Sequence, residues 1–181
     1  ADQLEEAIAV FKPLADAGLI LGSITGNHDK RPSIDSGISA MRYICRGLNI
    51  EDVGTSVIVQ VSLPDSTWNI FAAHGAGGGG TYASKAGKLE KLSLLCPLAD
   101  LILVGHVHSE LNFSAQTFRP NNSGVGVHLR HHYVTGSFQN WGSYAQEHSM
   151  IPNRTGSWLF TLTCRDKDKN TPKKLSAEFI D

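Results

Sequence analysis

An excess of either charge is missing from this sequence: 16 Lys plus Arg stand against 17 Asp plus Glu over 181 residues, a net charge of −1. A phosphate backbone finds no basic surplus here, so charge gives no support to a nucleic-acid partner. Cysteine is scarce as well. Cys45, Cys96 and Cys164 are an odd number without a C-x-x-C pair, which argues against a disulfide frame and predicts buried thiols and a cytoplasmic location. No apolar run approaches the ~18–20 residues of a membrane span, so no membrane partner is expected, and no secretory signal opens the chain. Disorder is excluded by the opposite kind of evidence, a 41% hydrophobic content against 18% charged.

What is present points to one domain over residues 1–181. Leu4, Ile8, Phe11 and Leu14 recur at helical spacing up to a C-cap at Gly18. A short apolar strand is predicted over 19–24 and a second helix over 36–47. Val57, Val59 and Val61 alternate along a strand over 56–63. A turn at Pro64-Asp65-Ser66-Thr67 then returns the chain as a partner strand over 68–73. A glycine-rich stretch, 74–80, precedes a helix over 84–95 and a continuous apolar strand over 100–104. Strands follow at about 111–118, 128–135, 157–164 and 174–180, with Arg165 to Lys174 as a solvated turn. The class is α/β with a strand-rich C-terminal half.

Three of the predicted strands end in loops that bear histidine: Asn27-His28-Asp29, His74-Gly75 and His106-Val107-His108. Ligands of open α/β sheets gather outside the carboxyl ends of strands. Histidine in that place is a good metal ligand, because one ring nitrogen binds the ion while an acceptor fixes the other. A single loop histidine is more often a surface residue. Three such loops in order reverse that preference.

Gly26-Asn27-His28-Asp29, then His74 opening a loop, then Gly105-His106-Val107-His108 resemble the calcineurin-like metallophosphoesterase family. The resemblance spans about residues 19–110 and implies a four-layer αββα sandwich. It also implies hydrolysis of a phosphomonoester or phosphodiester by a hydroxide bridging two divalent metal ions, with Mn, Fe or Zn as candidates. Asn27, His74 and His106 would hold one ion and His108 the other. His28 would protonate the leaving group, with Asp29 as its orienting acid. The family's earlier motifs, an Asp-x-His and a Gly-Asp-x-x-Asp, occur nowhere in these 181 residues. The expectation is therefore a domain lacking its N-terminal strands, inactive by itself, for which the missing leader says nothing. A nuclease of the same fold and a protein-binding scaffold built on the same sandwich are the alternatives. Five retained site residues disfavour the scaffold.

Gly75 to Gly80 also satisfies G-x-G-x-x-G, and Asp100 lies 20 residues on. A dinucleotide site needs its acid at the carboxyl end of a strand, whereas Asp100 opens one. The glycine run is better taken as a mobile loop over the site. Arg130-His131-His132 could reach phosphate only in part, since strand neighbours face opposite ways. Trp141 and Tyr144 are expected to pack rather than stack on a base. The N-x-[ST] triplets at Asn112, Asn121 and Asn153 are short enough to arise by chance.

Overall fold

The computed structural model describes residues 2–27, 29, 39–75, 81–121, 124–139, 142, 146–147, 152, 154–164 and 172–181. Outside them fall the glycine run at 76–80, the start of the helix expected over 36–47, Trp141, Tyr144, Asn153 and most of the turn at 165–174. Two compact units divide the chain, residues 1–57 and 58–181.

The first unit holds α1 (Asp2–Asp16) packed on α2 (Ala40–Leu48). Gly18 ends α1 as expected, its N–H donating to Ala15 O at 2.9 Å. Ser39 caps α2 by accepting from Arg42 N, and Asn49 closes it in a left-handed conformation (φ 54°). The strand expected over 19–24 does not form. Leu19 and Leu21 are exposed, and only Ser23 makes a bridge, to Asp52. The cause lies in hydrogen bonding. Ser23 N and Thr25 N donate to Glu51 O and Gly54 O at 2.8 and 2.7 Å, so this segment pairs briefly with the loop after α2. Apolar residues make a strand only where a ladder receives them.

The second unit is built on a five-stranded mixed sheet in the order β1-β2-β3-β5-β4. Its strands are β1 (Ser56–Leu63), β2 (Ser66–Ala73), β3 (Leu101–Val104), β4 (Glu110–Asn121) and β5 (Gly124–Thr135). A two-residue turn, Pro64-Asp65, joins β1 to β2, with Asp65 left-handed at φ 60°. Strands β2, β3 and β5 run parallel, and β4 folds back antiparallel on β5. Helix α3 (Tyr82–Leu95) covers one face. Leu89 of α3, with Cys96 and Ala99 after it, packs there on Phe71, Ala73, Ile102, Val104 and Val134. On the other face Tyr133 meets Trp158 and Phe160 edge-on, each at 4.8 Å. These belong to a two-stranded sheet of β6 (Ser157–Leu162) and β7 (Leu175–Ile180). Trp158 Nε1 donates to Val134 O at 2.8 Å, tying the two sheets together. All three cysteines are free thiols, Cys45 and Cys96 buried and Cys164 half-buried. Among the described residues no helix is long and apolar enough to cross a membrane.

Arg130, His131 and His132 divide between the faces as alternation requires. Arg130 is buried and donates to Ala99 O, Ser93 O and Pro97 O, capping the carbonyls around the C-terminus of α3. His131 Nδ1 lies 2.9 Å from Ser114 Oγ on β4. His132, 1% exposed, stacks on Phe113 at 4.4 Å. Among the described residues no well-aligned hydrogen-bond partner meets either of its ring nitrogens, and the Phe113 backbone beside it only partly offsets the burial. Burial, followed by the charge of Arg130, pushes the His132 pKa down to about 4.

His132 therefore folds as the neutral base. The unfolded chain, with histidine near 6.5, takes up a proton that the fold refuses between pH 6.5 and 4. Stability is complete above that window and falls through it as the pH drops, by roughly 3 kcal/mol at its foot for this one group. Urea unfolding at pH 7.5, 6 and 5 should show the decline, and His132→Phe should make it shallower, the remainder belonging to His128 and His131, whose pKa values burial also lowers. An equal slope in wild type and variant would mean that His132 is already hydrated in the fold.

Candidate functional site

The register places Ala73 of β2 opposite Val104 of β3, and Val104 opposite Val134 of β5. β2 and β3 thus stop on one line, and β5 runs one residue further, to Thr135. Gly105 N donates to Ala73 O at 3.0 Å, carrying the ladder one residue beyond β3. The next side chains are His74 and His106, whose ring centroids lie 4.8 Å apart at a tilt of 54°. His108 follows, its ring 6.3 Å from that of His106 and nearly perpendicular to it. All three histidines are half-buried.

The turn that carries two of them is unusual. His106 and His108 both adopt left-handed backbone, at φ 64° and 47°, a conformation that costs a side chain roughly 1–2 kcal/mol. Between them Val107 is buried in the core, and its N–H donates to Gly105 O at 2.8 Å. The apolar residue anchors the turn while the imidazoles on either side leave it. Gly75 allows the two loops to approach. Its φ is +83°, and a Cβ there would stand 2.8 Å from Val104 Cγ1 and 3.2 Å from Gly105 O.

Two rings at this separation can present nitrogens to one first-row metal ion, for which bonds of ~2.0–2.1 Å are usual with zinc. The pair His74 and His106 fits an ion in that sense, with His108 beside it. Among the described residues, however, no group of three or more His, Cys, Asp or Glu side chains is arranged to hold a metal. The set is a histidine pair plus a third imidazole, all uncharged donors when they ligate.

Asn27 and Asp29 belong to the first unit, and His28 lies outside the described residues. Asn27 is exposed. Asp29 Oδ2 accepts from Gly26 N at 2.7 Å, so its carboxylate closes the turn that holds Asn27. No family model, curated protein or solved structure matches the chain.

Two further residues lie beside the histidines without a motif to mark them. Lys85 of α3 is 7% exposed, and Ser109, directly after His108, is 1% exposed. Lys85 Nζ donates to Ser109 Oγ. Spacing could have revealed the lysine: Lys85, Leu89 and Ser93 follow at intervals of four and form the buried stripe of α3.

Gly75→Ala should destabilise the second unit by about 1–3 kcal/mol, through a strained φ and an overpacked contact. Gly87→Ala, inside α3 with nothing within 4 Å of the added Cβ, should instead stabilise by roughly 0.5–1 kcal/mol. Denaturant midpoints of the two variants check both signs. If Gly75→Ala proves as harmless as Gly87→Ala, the loops bearing His74 and His106 are not held this close.

Proposed function

We propose that this chain is a calcineurin-like metallophosphoesterase domain that hydrolyses a phosphomonoester or phosphodiester with two divalent metal ions. The observation that carries the proposal is the meeting of His74 and His106 at the carboxyl ends of adjacent parallel strands. Support for the four-layer αββα sandwich comes from the second unit, where α3, the five-stranded sheet and the β6-β7 sheet stack as α, β and β. A scaffold built only to bind protein would gain nothing from imidazoles held on left-handed backbone.

In this reading His74 and His106 hold one ion and His108 belongs to the other. Asn27 joins as a ligand, and His28 as the proton donor, by resemblance alone. When bound, the metals would polarise the phosphoryl oxygens and lower the pKa of water as a nucleophile. The protein's own residues do the rest. Val107 and Gly75 fix where the imidazoles stand. His28 delivers a proton to the departing oxygen, a task that suits a side chain with a pKa near working pH. Asp29 would orient His28 by the same resemblance, its carboxylate accepting from Gly26 N in the fold.

The bridging aspartate and the Asp-x-His of the family are not among these 181 residues, and neutral ligands do little to offset the repulsion of two nearby dications. Titration of the chain with Mn(II), followed by electron paramagnetic resonance, should therefore show one weak site. His106→Ala should abolish it, whereas His128→Ala, at the far end of the sheet, should not. Binding that survives His106→Ala, or no binding at all, would remove the metal from the proposal and favour the scaffold. In a form that carries both aspartate motifs, His28→Ala should slow an alkyl phosphate ester ~10²–10⁴-fold, the usual contribution of a general acid. A nitrophenyl ester should lose much less, because its leaving group is stable as an anion. Equal losses on the two esters, with loss of metal, would make His28 a ligand.

A further inference from the structure

Buried lysine is rare because a desolvated ammonium is costly unless it is paired. Lys85 is buried to 7% exposure in the first turns of α3, and no carboxylate among the described residues pairs with it. Its Nζ instead donates to Ser109 Oγ, and lies 5.6 Å from the centroid of the Tyr82 ring. Ser109 Oγ in turn donates to Val107 O at 3.3 Å. A relay of two hydrogen bonds thus runs from the helix into the turn between His106 and His108. That turn is the strained one, with two left-handed residues flanking Val107. Such conformations persist only where surrounding contacts over-determine them. Burial, with Lys88 second, holds the Lys85 ammonium below the usual lysine range. A leucine there would have packed against the same core without that cost.

We propose that Lys85 is a positioning residue: through Ser109 it fixes the Gly105-His106-Val107-His108 turn and so aims His106 and His108 at their metals. The naming of those histidines as ligands rests on the metallophosphoesterase reading, whereas the relay rests on geometry alone. Lys85 touches neither substrate nor metal. Its effect is on where the imidazoles stand, exerted through the Val107 carbonyl between them, one step further out than a direct hydrogen-bonded partner of a ligand.

The test compares wild type with Lys85→Met, which keeps the length and apolar stem but removes the donor, and Ser109→Ala, which removes one hydroxyl. Ser109→Thr restores the hydroxyl and serves as the rescue. Co(II) affinity, read from its visible absorption, should fall 10–100-fold in Lys85→Met and in Ser109→Ala, with the melting temperature within a few degrees of wild type. Ser109→Thr should recover most of the loss. The double variant should be no worse than either single one, since both cut the same relay. Ring proton and carbon shifts of the metal-free protein, assigned by His-to-Gln substitution, give a second readout. Those of His106 and His108 should move in Lys85→Met while that of His128 stays. Undiminished Co(II) affinity in both single variants overturns the proposal. Additive losses overturn it as well. If wild type binds no Co(II), the metallophosphoesterase reading fails separately, and the ring shifts decide the relay: movement confined to His106 and His108 sustains it, and unchanged shifts end it. If Lys85→Met does not fold, Ser109→Ala with its threonine rescue decides alone.

Discussion

Because β2, β3 and β5 are parallel, with Ala73, Val104 and Val134 in register, whatever follows those residues must emerge on one line. That constraint is covalent and steric before it is chemical. Each strand fixes its neighbour through evenly spaced backbone hydrogen bonds, and a slip of one residue would turn every side chain to the other face. Phe71, Ile102 and His132 would then leave the α3 side and uncover the core that Leu89 of α3 packs on. The register is therefore held by packing along the strands, well away from the loops. Histidines placed directly after two of these strands inherit that precision without contributing to it.

The other end of the same strands is fixed by charge. Asp100 is 1% exposed and stands before β3. Its Oδ2 accepts from Asn69 N at 2.7 Å and meets Lys173 Nζ at 2.8 Å. Arg119 Nη1 lies 3.6 Å from Oδ1. His128 Nε2 is 2.9 Å from the same oxygen but not aligned for a hydrogen bond. Burial, then the repulsion of Arg119, pushes the His128 pKa down to about 4, so the aspartate is balanced by Lys173 and Arg119 rather than by an imidazolium. A buried carboxylate with one partner removed typically costs about 3–5 kcal/mol because its charge is left uncompensated, so loss of Lys173 or Arg119 would be felt at the β4-β5 hairpin, β3 and the segment leading into β7 together. It also counts against the dinucleotide reading. The acid is engaged by cations at the amino end of β3, not free at a carboxyl end to meet a ribose.

Much of this was legible in the residues, for definable reasons. Val57, Val59 and Val61 alternate, and β1 buries that side in part. The turn at Pro64-Asp65 and the apolar strand before Gly105 were local signals with local causes. Gly18 ended its helix because the chain needed a left-handed residue there. The segment 19–24 misled because Leu19, Ile20 and Leu21 look like a strand, yet pairing depends on a neighbour that no local window contains. The hairpin β4-β5 was expected as shorter strands. Its 12-residue arms extend past the sheet on cross-strand pairing and on Arg119, which donates to Pro97 O and Ala99 O, with Phe118 and Val127 exposed opposite one another. Of the site, the three histidines of the second unit come together, while Lys85 and Ser109 were missed because lysine and serine read as surface residues.

Strain and burial can be weighed against each other at the end of β3. Two left-handed histidines cost roughly 1–2 kcal/mol apiece, and an ammonium desolvated without a carboxylate adds to that. Against them stand one buried valine, worth about 1.5–3 kcal/mol, and the Gly105–Val107 and Ser109–Val107 hydrogen bonds at about 0.5–1.5 kcal/mol each. The Lys85–Ser109 hydrogen bond offsets part of the ammonium's cost, the two sides are then of similar size, and the turn gains the domain little stability. A sequence shaped only by folding would relax such a turn with glycine at 106 and 108 and an apolar residue at 85. The retained strain runs in the direction from observed outlier to function: the backbone is held where two imidazoles leave the end of a strand beside a third, and the energy that could have gone to stability holds that arrangement instead.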